Sequence, residues 1–140
     1  MPAAFRSCIN EDKKYSGIVV YRSFINPCIE ATTLSRMEYL SQTINAMDPY
    51  SESRDAFATA ILGGSLQLPF DNEGRIILNE ELMQEMSLTD SACFVGKGVM
   101  FEIWQPETFK QYFDKAKELA KQQRSLLQNT HKSKEEDKNA

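Results

Sequence analysis

Apolar side chains recur along this chain with two periods, and the places where one gives way to the other mark its elements. Gly17-Ile18-Val19-Val20-Tyr21 follows the polar run Asn10-Glu11-Asp12-Lys13-Lys14 and predicts a strand. Asn26-Pro27 predicts a turn, and Cys28-Ile29-Glu30-Ala31 a short strand returning onto the first. From Thr33 the period becomes helical: Leu34, Met37, Leu40 and Ile44 form a stripe that Met47 extends. Asp48-Pro49 predicts the start of a second helix, with Asp48 as N-cap and Pro49 as its first residue. Tyr50, Phe57 and Ile61 share one face of that helix, and Gly63-Gly64 ends it.

Alternation then returns. Leu66, Leu68 and Phe70 alternate with Gln67 and Pro69, so a half-buried strand is expected, with Pro69 at an edge or strand end. Asp71-Asn72-Glu73-Gly74 predicts a turn and Arg75-Ile76-Ile77-Leu78 a further strand. Asn79 suits the N-cap of a short helix, and Glu80 and Glu81 suit the positive end of its dipole. Leu82, Met83 and Met86 give that helix an apolar side. Ala92–Val95, the turn Gly96-Lys97-Gly98 and Val99–Trp104 predict a hairpin. Pro106 opens a last helix striped by Phe109, Tyr112, Phe113, Ala116, Leu119 and Ala120, with intramolecular packing expected and a contact between subunits as the rival. Strands and helices in this mixture give the α+β class.

Composition narrows the function. The net charge of −4 argues against indiscriminate nucleic-acid binding, and it is uneven. Residues 1–120 carry 11 basic and 17 acidic side chains, whereas residues 121–140 carry 5 and 3. Any contact with a polyanion therefore comes from a small local patch, multiplied by self-assembly. No apolar run reaches the ~18 residues of a membrane span, and Met1-Pro2-Ala3-Ala4-Phe5-Arg6 is no signal peptide, so a cytoplasmic site is expected. Cys8, Cys28 and Cys93 read as reduced thiols in or near the core. One His and no C-x-x-C pair speak against zinc, and no cofactor is expected.

The order strand, turn, strand, helix occurs twice, with Ile29-Glu30 and Phe101-Glu102 as corresponding pairs 72 residues apart. The second copy has an extra beginning, Leu66–Leu78. The first starts at Pro2-Ala3-Ala4-Phe5-Arg6, so ~15 residues are expected to be missing from its front.

Several segments, in this order and spacing, resemble the MraZ family over roughly residues 2–125. They are Pro2-Ala3-Ala4-Phe5-Arg6, Asp48-Pro49, Leu66-Gln67-Leu68-Pro69-Phe70-Asp71-Asn72-Glu73-Gly74-Arg75, and Phe94-Val95-Gly96 leading to Phe101-Glu102-Ile103-Trp104. Gly96-Lys97-Gly98 and the run Phe101–Pro106 are most similar to the alphaproteobacterial members. The resemblance implies tandem AbrB-like swapped-hairpin β units with packed helices, the first incomplete, assembled as ring-shaped homo-oligomers. On that pattern residues 1–47 form the incomplete first unit, 48–64 a linking helix, 65–124 the second unit with its C-terminal helix, and 125–140 a mobile polar tail. It also implies a nucleoid-associated transcriptional regulator that binds repeated promoter sites of the division and cell-wall gene cluster.

The family's DNA-contacting Asp-x-Lys-Gly-Arg loop corresponds here to Asp71-Asn72-Glu73-Gly74-Arg75, with Glu73 in place of the usual Lys. The first-half loop is expected to precede Met1. The resemblance therefore makes Asp71, Asn72, Gly74 and Arg75 the candidate DNA-binding residues. Gly74 permits a sharp turn, and an Arg on a rigid loop suits bidentate contact with guanine or phosphate. The residues alone favour a plainer reading, a turn ending in a solvated Arg. Glu73 repels phosphate or pairs with Arg75, and Lys97 reads as a solvated hairpin tip. Glu30 and Glu102 are expected at opposite ends of a pseudo-symmetric pair, capping or bridging the halves, and Trp104 in the core or a subunit interface. No catalytic constellation converges, so an enzyme is not expected. The alternative to a regulator is an oligomeric scaffold that has lost DNA binding through the shortened front.

Overall fold

The computed structural model describes residues 15–129; Pro2–Arg6, Cys8, the polar run Asn10–Lys14 and the end of the expected tail lie outside them. The fold is α+β. Five antiparallel strands form one sheet: β1 (Gly17–Arg22), β2 (Ile29–Thr32), β3 (Leu66–Pro69), β4 (Cys93–Gly96) and β5 (Phe101–Trp104), in the order β3-β1-β2-β5-β4. The helices are α1 (Leu34–Asn45), α2 (Glu52–Phe57), α3 (Glu80–Glu85) and α4 (Pro106–Gln122). The chain divides after Pro106 into two compact units, the second beginning at Glu107.

The sheet shows the repeat directly. Hairpin β1–β2 and hairpin β4–β5 lie side by side with their second strands in contact, and Glu30 stands opposite Glu102 in the β2–β5 register. The residues equivalent in sequence are thus neighbours across a local two-fold axis. This corrects the expectation that the two carboxylates lie at opposite ends of the pair, since antiparallel pairing of equivalent strands brings their equivalent residues together.

Alternation along the strands gives the sheet two different faces. One carries Ile18, Val20, Ile29, Ala31, Phe101 and Ile103, which form a core with Leu82 of α3 and with Leu88. The other carries Val19 and Tyr21 against Met37 and Ile44 of α1 and Ile61. Tyr21, Glu30 and Glu102 stand in register on the second face, so a polar row runs across three strands beside an apolar one. Gly17 lies where β3 crosses closely, and a Cβ there collides with the Leu68 carbonyl oxygen.

Helix ends follow local chemistry, with one surprise. Thr33 caps α1 by accepting from Arg36 N–H, and Asn79 caps α3 by accepting from Leu82 N–H at 2.8 Å. The second helix, however, starts later than Asp48-Pro49 suggests. Asp48 Oδ1 accepts from Tyr50 N–H and its carbonyl accepts from Ser51 N–H, a turn, and Ser51 is the N-cap of α2. Tyr50 therefore lies outside the helix and is 95% exposed, while Ile61 is buried. The last turn, Ala58–Leu62, widens to a π-helix before Gly63.

Arg75–Leu78 is not a strand of the sheet. Ile76 and Leu78 pack on the first core while Ile77 between them is 82% exposed, so the alternation is right. Among the described residues no strand pairs with this segment, and alternation without a partner makes no ladder. Val99 and Met100 belong to the hairpin turn rather than to β5. After a turn at Gln123, residues 124–129 are helical, and all but the first of them fall in the stretch 125–140 expected as a tail.

Candidate nucleic-acid interface

The candidate loop hangs from the end of β3. Phe70 N–H still donates to the Ser16 carbonyl at 3.0 Å, so the strand holds the loop's first leg. Gly74 N–H donates to the Asp71 carbonyl at 3.0 Å, and Asp71 N–H to the Arg75 carbonyl at 2.8 Å. Gly74 has φ 76°, the left-handed region that closes such a turn without a Cβ clash. The Asp71 carboxylate fills the loop: Oδ1 accepts from Glu73 N–H at 2.9 Å and from Arg75 N–H at 2.8 Å, and Oδ2 from Arg75 Nε at 2.8 Å. Asp71 is thus the loop's internal scaffold, Gly74 its hinge and Arg75 its exposed cation, while Asn72 sits exposed at the tip.

The electrostatics follow from these bonds. The Arg75 backbone and side-chain donors, then the Glu73 N–H, hold the Asp71 carboxyl below its ordinary value of 3.8. Its contribution to the folded loop is complete above that value and is lost as pH falls through the lower folded one. Arg75 also lies 3.2 Å from Glu73 Oε2, so two carboxylates flank its guanidinium. Its side chain is 66% exposed, and the pairs are screened by water.

Lys97 is not a solvated tip. Its Nζ lies 3.0 Å from Glu102 Oε1, and the Glu102 side chain is 1% exposed. A buried carboxylate needs a counter-charge and donors, and the turn at Gly98 (φ 79°) lets the lysine fold back to supply one. Trp104 Nε1–H donates to the same oxygen at 2.9 Å, which makes Trp104 a core residue. Ser23 Oγ–H donates to Glu30 Oε1 at 3.2 Å. Burial, then the Glu30 hydrogen bond, holds the Tyr21 phenol well above its usual range. Burial, then Glu102 and Glu30, pushes the Cys28 thiol up to about 12, so Cys28 is protonated and inert, while Cys93 is half-buried. Tyr21 lies in the expected strand and Cys28 in the core as expected, but their grouping with Ser23 around Glu30 was not foreseen; Tyr21 in register with Glu30 was the available signal. These residues form a satisfied internal network rather than a reactive centre. Among the described residues no group of three or more His, Cys, Asp or Glu is placed to hold a metal ion, and no helix is long and apolar enough to cross a membrane.

Comparison with known proteins gives a consistent result. Residues 61–129 match the model of the family described as "MraZ protein, putative antitoxin-like". A protein of Rickettsia bellii (strain OSU 85-389) named transcriptional regulator MraZ is 50% identical over 131 residues, which cover 94% of this chain and 87% of that protein. Proteins of the same name from Rickettsia canadensis (strain McKiel) and Rickettsia rickettsii (strain Sheila Smith) are each 47% identical over the same shares.

Proposed function

The chain belongs to the MraZ family, and from that membership and the Asp71–Arg75 loop we propose that it regulates transcription by sequence-specific binding of DNA as a homo-oligomer. The observation that carries the reading is the loop's construction. An arginine is held by its own Nε on a carboxylate that also fixes the backbone, so its outer nitrogens are presented in one orientation. A guanidinium set in this way loses little freedom when it meets the O6/N7 edge of guanine. Asp71 and Gly74 build the loop, Arg75 reads, and Asn72 at the tip is in reach of a phosphate or base edge.

One such loop supplies little affinity, and the chain's net negative charge adds none. Several copies in one assembly, facing repeated promoter sites, convert weak contacts into tight binding through effective concentration. Exposed apolar residues support assembly: Phe113 and Leu119 on α4, and Ile77 beside the loop. The promoter of the division and cell-wall gene cluster is the target that family resemblance suggests, and a place on the nucleoid in the cytoplasm goes with it. The protein acts in this reading by binding, not by catalysis.

The test is Arg75→Ala in a binding assay with the DNA upstream of the chain's own coding region. A bidentate pair with a base is worth ~1–3 kcal/mol per subunit, so affinity drops at least about ten-fold with assembly and melting temperature unchanged. Undiminished binding removes Arg75 from the interface. A second reading, a scaffold that no longer binds DNA, draws support from Glu73 beside Arg75; absence of any shift with the unsubstituted protein decides for it.

A further inference from the structure

The cations of this protein are distributed in a way its net charge hides. In the first unit three of the five described Lys and Arg residues form ion pairs. Arg22 meets Glu81 and Glu85, Arg75 meets Asp71 and Glu73, and Lys97 meets Glu102. Arg36 lies over the Tyr39 ring at 4.6 Å, and Arg54 reaches Asn45 Oδ1 at 3.4 Å. On α4 the pattern reverses. Lys110, Lys117 and Lys121 are exposed, and among the described residues none of them makes an ion pair.

Their spacing puts them together. At 3.6 residues per turn, positions 110, 117 and 121 fall within an arc of about 40° and form a row ~16 Å long. Lys117 Nζ stands 5.6 Å from the centre of the Phe113 ring, so the row borders the apolar stripe. Arg124, also exposed, follows just past the turn at Gln123. Asp114, one turn after Lys110, makes no ion pair with it, although i,i+4 spacing permits one. Asp114 lies at the edge of the row, which thus carries three lysines against one exposed carboxylate on an otherwise acidic chain.

We propose that this row on α4 is a phosphate-binding surface for the backbone of duplex DNA, separate from the base-reading loop. The proposal rests on the reading that DNA is the partner, but not on the role of Arg75. Charge complementarity selects the occupant: a duplex carries one negative charge per ~1.7 Å, and an exposed line of flexible ammonium groups neutralises such a rod without demanding a sequence. The division of labour follows. Arg75, braced by Asp71, contributes discrimination; the α4 lysines contribute affinity that every sequence shares.

The full chain carrying Lys110→Gln, Lys117→Gln and Lys121→Gln together is compared with the unsubstituted protein by fluorescence anisotropy. The probes are a duplex of its own upstream DNA, an unrelated duplex of equal length, and vesicles of phosphatidylserine and phosphatidylcholine, each across a salt series. The triple variant is expected to bind both duplexes at least about ten-fold more weakly. The slope of log K against log salt becomes shallower by ~0.9 for each phosphate no longer neutralised. The triple Lys→Arg variant keeps the slope, and circular dichroism checks that helix content is unchanged in both.

Equal affinity and slope for the Gln variant overturn the proposal, as does failure of the unsubstituted protein to bind either duplex at low salt. Loss confined to vesicles overturns it in favour of a membrane surface. The loop reading fails separately: Arg75→Ala that retains preference for the upstream duplex refutes the loop and leaves the lysine row standing.

Discussion

At the residue scale, the centre of the molecule is a pair of carboxylates where an apolar pair is the cheaper choice. Glu30 and Glu102 face each other in register, both buried, and the cation in contact with them is Lys97 on Glu102. Like charges opposite one another in a sheet destabilise it unless donors and a counter-charge offset them. Ser23 serves Glu30, and Trp104 and Lys97 serve Glu102. Removing the counter-charge while keeping its aliphatic stem isolates the effect. Lys97→Met is expected to cost about 3 kcal/mol, the low end for breaking a buried pair, because a third of the lysine side chain still meets water. Adding Glu102→Gln restores most of that loss, since the amide oxygen still accepts from Trp104. Urea denaturation measures both; a single variant within about 0.5 kcal/mol of the unsubstituted protein shows that Glu102 has no need of Lys97.

At the element scale, Asp48-Pro49 and Ser51-Glu52 are both competent helix starts, and the structure uses the second. Ser51 Oγ accepts from Arg54 N–H at 3.1 Å, and Glu52 and Asp55 occupy the first turn where the helix dipole favours them. Ser51→Ala is therefore expected to cost about 1 kcal/mol by thermal denaturation, and Asp48→Ala less. Equal losses would mean that the turn at Asp48 contributes as much as the cap. The comparison marks what a sequence shows and what it hides. The cap at Asn79, the hairpin turn at Gly96–Gly98 and the edge position of Pro69 were readable because each is decided within a few residues. The alternation of Arg75–Leu78 was equally readable and still gave no strand, because pairing depends on residues far away in the chain. The same holds for Glu30 opposite Glu102: a spacing of 72 residues hints at a repeat but does not specify how its copies meet. In the candidate loop the residue types were legible, whereas the grip of Asp71 on Arg75 was not, since it rests on side-chain geometry.

At the scale of the whole molecule, an acidic chain binds a polyanion only if its few available cations act together. Arg75 is braced on one loop, the exposed lysines lie along α4, and each is weak alone. The proposed assembly would multiply both, and α4 carries exposed apolar side chains suited to it. Phe109 contacts Tyr112 and Phe113 along the helix, yet no residue of α4 is buried, and Phe113 and Leu119 are 49% and 52% exposed. An apolar stripe on a 17-residue amphipathic helix is the kind of surface a contact between subunits uses, and the proposed assembly is tested there. Replacing its two most open positions, Phe113→Glu with Leu119→Glu, places charge on the stripe while leaving helix propensity nearly intact. Light scattering after gel filtration is expected to show a protomer-sized species with unchanged helix content. Binding to a duplex with several sites then falls to the level of a duplex with one, because the gain from effective concentration disappears; the loop is untouched, and the effect of the new carboxylates on the neighbouring lysine row is common to both duplexes. If the doubly substituted protein keeps its mass, α4 is not the contact. If it becomes monomeric and still prefers the multi-site duplex as strongly, affinity does not arise from several subunits acting at once.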